Sequence, residues 1–174
     1  MSLRFCNRQA VRPVQIPLLR KIVGHLCQKL IAAKTWDLGI YLVDREEMTR
    51  INETFLRHTG STDVVTFDYA DAAHHGRNGS RSLHGEIFIC LDDAVDQARQ
   101  FRTTWEAELV RYCVHGVLHL LGHDDLDPAS RRKMKRVEGQ WVKKLSDEFD
   151  LQKVGRPLPR RRRSRRISSP PPTR

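Results

Sequence analysis

His115-Gly116-Val117-Leu118-His119-Leu120-Leu121-Gly122-His123-Asp124-Asp125 is the stretch from which both the architecture and the chemistry of this 174-residue chain can be read. Two histidines four residues apart lie on one face of a helix, one turn from each other, so both imidazoles can reach a single metal ion. Their neighbours are apolar, so the same helix must pack its other stripe into a core. Gly122 offers a place for the helix to stop and the chain to reverse. If the helix instead ran on through Gly122, His123 would stand eight residues, about 12 Å, along the axis from His115. That is too far for three side chains to share one ion. With a reversal at Gly122, Asp125 can fold back over the ion, and its carboxylate is an acceptable zinc ligand. The expected ligand set is therefore His115, His119 and Asp125, with His123 as a supporting partner or substitute. Zinc proteases share the histidine spacing but carry a glutamate base directly after the first histidine. This chain has Gly116 there.

Working outward, the chain alternates helical and extended patterns. Leu-Arg-Phe-Cys-Asn at residues 3–7 and Trp36 to Val43 read as strands, and Pro17 opens a helix bearing Leu18, Leu19, Ile22, Val23, Leu26, Leu30 and Ile31. Asp44, with Glu47 three residues on, caps a helix carrying Met48, Ile51 and Phe55. Thr62 to Tyr69 reads as a largely buried strand, residues 70–83 as a polar loop, and Gly85 to Leu91 as a further strand. Asp92 or Asp93 starts the next helix, Thr103 with Glu106 caps the histidine helix, and Asp127-Pro128 opens a last amphipathic helix. The expected fold is α+β: a small mixed four-stranded sheet packed against about five helices, with the metal-binding helix central.

Composition sets the frame. The four cysteines (Cys6, Cys27, Cys90, Cys113) sit among apolar residues without a CxxC pair and read as reduced core thiols of a cytoplasmic protein. No apolar run approaches the roughly 18 residues that span a bilayer, and no secretory signal opens the chain. The net charge of +10 is uneven: eight arginines and no acid fall in residues 156–174, leaving 23 basic against 21 acidic residues over 1–155. The expected organisation is one domain over residues 1–155 and a disordered Arg/Pro-rich tail over 156–174 that binds phosphate backbones without reading sequence. His74-His75, in a polar Gly- and Ser-containing loop, is read as solvated rather than as a second metal site.

The motif resembles that of the YbeY-type endoribonucleases, whose signature is similar to HGxLHLxGxDH. His115-Gly116, Leu118-His119-Leu120, Gly122 and Asp124 match in place; the family's third histidine is replaced by Asp125, and His123 stands where tyrosine is usual. Upstream, Ile51-Asn52 through Phe55 and Arg57, then Ser61-Thr62-Asp63-Val64-Val65-Thr66-Phe67, resembles the family's N-x-x-[FY]-R…T-D-V-L-S-F block. Gly85-Glu86-Ile87-Phe88-Ile89 resembles its G-D-I-x-I strand. The resemblance spans roughly residues 3 to 150 and implies the same α+β fold. It further implies a zinc-dependent, single-strand-specific endoribonuclease acting in ribosomal RNA processing, including the 16S rRNA 3′ end, and in ribosome quality control. Its partners would be rRNA precursors and the small ribosomal subunit. Arg57 would face the metal cleft, clamping a phosphate bidentately and neutralising charge that develops during cleavage. With no glutamate at 116, the base stays open among solvent activated by the ion, a side chain and the RNA 2′-hydroxyl. Two other readings compete: a non-catalytic zinc-containing protein of ribosome binding or assembly, kept in play by Asp125 and the tail, and a metalloprotease, disfavoured by Gly116.

Overall fold

The computed structural model describes residues 1–31, 36–70 and 83–155. Residues 71–82, with His74 and His75, and the basic tail lie outside the described residues.

The elements run β1 (Ser2–Asn7), α1 (Ile16–Leu30), β2 (Trp36–Val43), α2 (Arg45–Ile51), a π-helical turn (Asn52–Leu56), β3 (Val64–Asp68), β4 (Leu83–Cys90), α3 (Leu91–Phe101), α4 (Trp105–Leu120), α5 (Pro128–Glu148) and a 3-10 turn (Leu151–Gly155). The four strands form one mixed sheet in the order β1-β2-β4-β3. β2 pairs in parallel with β1 and β4, and β3 closes the far edge antiparallel to β4. This is the α+β architecture that the alternating patterns predict.

β2 and β4 lie inside the sheet and are the most apolar strands, as strands with neighbours on both sides must be. Leu38, Ile40, Leu42, Ile87 and Ile89 point to the main core, where they meet Leu19, Ile22 and Leu26 of α1 and Leu109, Cys113, Val114, Val117 and Leu118 of α4. The other sheet face buries a smaller cluster of Val43, Met48, Val65 and Cys90 beneath α2. The histidine helix is thus central, one stripe against the sheet and the other free to build a site.

Gly116 explains how closely α4 approaches. A Cβ there would stand 2.5 Å from Ile87 Cγ2. Position 116 faces β4, not the histidines, so a protease-type glutamate at this position would be driven into the core.

Four expectations are corrected. α3 begins at Leu91 behind Cys90, with Asp92 and Asp93 in its first turn rather than at its start; Asp92 is engaged by the Arg45 backbone N–H at 2.8 Å. Thr104, not Thr103, caps α4 by accepting from the Ala107 N–H, a cap worth about 1 kcal/mol. Thr103 instead donates its hydroxyl to Glu108 at 2.6 Å. β3 starts at Val64 and only Val65 is fully buried, because a sheet-edge strand has one open flank. Cys6 is exposed on the edge strand β1, while Cys27, Cys90 and Cys113 are buried; all four are free thiols. No helix among the described residues is long and apolar enough to cross a membrane.

Candidate metal centre

The end of α4 is fixed by Gly122, whose φ of +85° is the left-handed conformation that glycine adopts without a Cβ penalty. The Gly122 N–H donates to the His119 carbonyl at 2.8 Å and the His123 N–H to the Leu118 carbonyl at 3.0 Å. This paired arrangement ends the helix and turns the chain back. α5 then starts on Asp127, whose carboxylate accepts from the Ala129 and Ser130 N–H groups. Residues 123–127 form a short loop strung between two fixed helix ends.

Three side chains converge there. His115 Nε2 and His119 Nε2 stand 3.0 Å apart. The Asp125 Oδ1 atom is 4.0 Å from His119 Nε2. One ligand atom from each of His115, His119 and Asp125 lies within 4.8 Å of the other two. Both imidazoles are anchored by the opposite nitrogen: His115 Nδ1 to Glu138 Oε2 at 3.0 Å, and His119 Nδ1 to the His123 carbonyl at 3.1 Å. Each Nδ1 therefore carries hydrogen toward an acceptor, which turns the Nε2 lone pairs inward.

The electrostatics agree. Burial opposes a charge on His115, but the Glu138 hydrogen bond and carboxylate outweigh it and raise its pKa above the ordinary histidine value. Burial and the adjacent His115 lower that of His119. A proton on His115 Nε2 can bridge to the neutral His119 Nε2, and a cation there would take that proton's place.

The supporting residues were not singled out from the sequence. Glu138 on α5 and Glu108 on α4 are 7% and 4% exposed, the two buried charges among the described residues. Arg111 lies between them, its Nε 3.1 Å from Glu108 and its Nη1 2.8 Å from Glu138. Burial would raise the Glu138 pKa, but its bonds to His115 and Arg111 hold it below the ordinary carboxylate value. The signal was present: Glu138 interrupts the buried stripe Met134, Val142 and Leu145, and a lone carboxylate on an apolar stripe needs a partner.

Arg57 sits apart from this cluster. It ends the π-helical turn at φ +57°, a conformation costing a non-glycine residue roughly 1–2 kcal/mol, and it is exposed. It does not line the cavity that holds His115 and Asp125, but the loop it opens ends at Asp63, which does. His123 lines a separate hollow with Lys133.

A helix presenting two inward nitrogens and a returning loop presenting a carboxylate define an α+β domain with a three-residue group that could hold a cation. The family model described as Endoribonuclease YbeY matches residues 5–146, and the chain belongs to that family. Relatives named Endoribonuclease YbeY include one from Salinibacter ruber, 34% identical over 133 residues (75% of this chain, 83% of that protein). Another, from Parabacteroides distasonis, is 30% identical over 139 residues (78% and 92%). The solution structure of TM1509 from Thermotoga maritima superposes with a TM-score of 0.58 at 22% identity, covering 92% of this chain and 99% of that one, which supports the fold.

Proposed function

We propose that this protein is a zinc-dependent endoribonuclease that cleaves single-stranded RNA, acting in the cytoplasm on ribosomal RNA precursors, including the 16S rRNA 3′ end, and in ribosome quality control. The observation that carries the reading is the pair of Nε2 atoms 3.0 Å apart, each fixed by a partner at Nδ1, with Asp125 in reach. His115, His119 and Asp125 would hold the ion, two neutral imidazoles and one carboxylate being an ordinary zinc set with a position left open. Bound zinc supplies Lewis-acid polarisation of the phosphate and acidifies water.

The protein groups divide the remaining work. Glu138 and the His123 carbonyl hold the two imidazoles in orientation and tautomer. Arg57 has no carboxylate partner among the described residues, so its guanidinium is available to grip a phosphate from the loop leading to Asp63. A backbone conformation kept at a cost often marks a functional position. Gly116 faces Ile87, which supports nuclease over protease chemistry. The deciding experiment measures zinc content and cleavage of a single-stranded RNA and of casein, with and without chelator. Chelator-sensitive RNA cleavage with casein untouched is expected; zinc-loaded protein that cuts neither would instead make it a binding or assembly protein.

Two further results are expected. Glu138→Gln keeps an acceptor for His115 but removes the charge, so zinc affinity should fall by about 10–100-fold, as for other partners of metal-bound histidines. Unchanged affinity by competition with a chromophoric chelator would make Glu138 a packing residue only. Truncation after Gly155 removes eight arginines. Affinity for long RNA or ribosomes should drop and its log-log salt slope flatten by about 0.7 per lost phosphate contact. Turnover of a short oligonucleotide should hardly change. If affinity and slope both stay put, the tail is a bystander.

A further inference from the structure

The cavity that contains His115 and Asp125 extends well beyond them, between the end of α3, one face of α4 and the first turns of α5, to about 680 Å³. That is room for a nucleotide-sized ligand. Its inner carboxylates are already engaged: Glu108 and Glu138 bracket Arg111, and Asp63 accepts from the Val64 N–H and the Thr62 hydroxyl. Its outer cations are different. Arg131 uses only Nε, donated to the Asp125 carbonyl at 3.0 Å. Neither Arg131 nor Lys135 has a carboxylate partner among the described residues, and their four-residue spacing puts both on one face of α5.

Phe101, the last residue of α3, also lines this cavity and is 61% exposed. The next residue, Arg102, takes a left-handed conformation that ends α3 there. A single exposed ring means little alone. A ring, two unpaired cations and a candidate metal centre around one cavity share a single ligand chemistry: a flat base joined to a phosphate.

We propose that this cavity is a subsite for one unpaired nucleotide of the RNA strand, its base stacked on Phe101 and its phosphate held by Arg131 and Lys135. The proposal rests on the endoribonuclease reading and deepens it. A base inside a duplex has both faces covered, so only an unpaired nucleotide can use the ring, and the preference for single strands then comes partly from Phe101. Stacking is tolerant of sequence because every base has a π-face, so the subsite selects strandedness rather than base identity.

The test uses the full-length, metal-loaded protein and a labelled single-stranded 2′-O-methyl phosphorothioate oligonucleotide that resists cleavage, at fixed salt, with zinc content and circular dichroism checked for each variant. Phe101→Ala should weaken binding about tenfold. On cleavable RNA it should raise KM by a similar factor with kcat little changed. Phe101→Trp should restore affinity, and Phe101→Leu, apolar but without a ring, should behave like the alanine variant. Arg131→Gln and Lys135→Gln should each weaken all sequences alike and flatten the salt slope by about 0.7. Wild-type affinity in both Phe101→Ala and Phe101→Leu would overturn the stacking role, and an unaltered salt slope in the double glutamine variant would overturn the phosphate clamp. If wild-type protein binds this RNA through Phe101 but cuts none, the endoribonuclease reading fails and the subsite stands. If it cuts RNA and the variants are neutral, only the subsite fails. RNA neither bound nor cut would sink both.

Discussion

Replacing His115 or His119 with alanine is expected to abolish stoichiometric zinc and RNA cleavage while the domain stays folded. Each histidine would supply one of three donors, and no other His, Cys, Asp or Glu among the described residues joins the group. Without the ion the phosphate loses a Lewis acid worth several kcal/mol of transition-state stabilisation, so cleavage should fall by about a thousandfold or more. The fold should tolerate the change. Both side chains belong to the cleft stripe of α4, whereas Val114, Val117 and Leu118 carry the packing against the sheet. In His115→Ala, Glu138 still has Arg111 as its ion-pair partner at 2.8 Å, so no buried charge is left alone. Zinc analysis, circular dichroism and a gel-based oligonucleotide assay read the three quantities separately. Full zinc occupancy in the double variant would place the metal elsewhere and end the argument.

What could be read from the sequence was what is local. The helix pair, its stop at Gly122 and the start of α5 at Asp127-Pro128 each depend on residues within a turn or two of each other, and each fits the structure. The caps of α3 and α4 came out one to three residues off because Cys90 is an unremarkable cap and Thr103 and Thr104 are adjacent candidates, only one of which accepts from the helix N–H groups. Register and strand order are not local, so nothing in the sequence alone put β3 on the edge or left Cys6 exposed on β1. The candidate centre shows the same division. Its histidines were legible; Glu138, 23 residues from His115, was not, because it arrives by the packing of α5 on α4. The contribution of His123 was hidden for another reason: it offers its backbone carbonyl, which every residue has.

That last point decides what should happen when the third ligand is tested. The Asp125 Oδ1 atom is 4.0 Å from His119 Nε2 and belongs to the convergent group, whereas His123 does not and lines a different hollow. Asp125→Ala should therefore weaken zinc binding by more than the roughly 10–100-fold typical of a residue that merely supports a ligand. Asp125→His restores the three-histidine set that the YbeY-type signature implies and should retain or tighten zinc, since imidazole is an equally good donor. His123→Ala keeps the carbonyl that accepts from His119 and the N–H that donates to Leu118, so the turn survives and affinity should fall by less than about tenfold. Zinc lost in His123→Ala but kept in Asp125→Ala would mean that the loop rearranges when metal binds. His123 would then be the third ligand, and Asp125 a residue that only happens to lie near it in this arrangement.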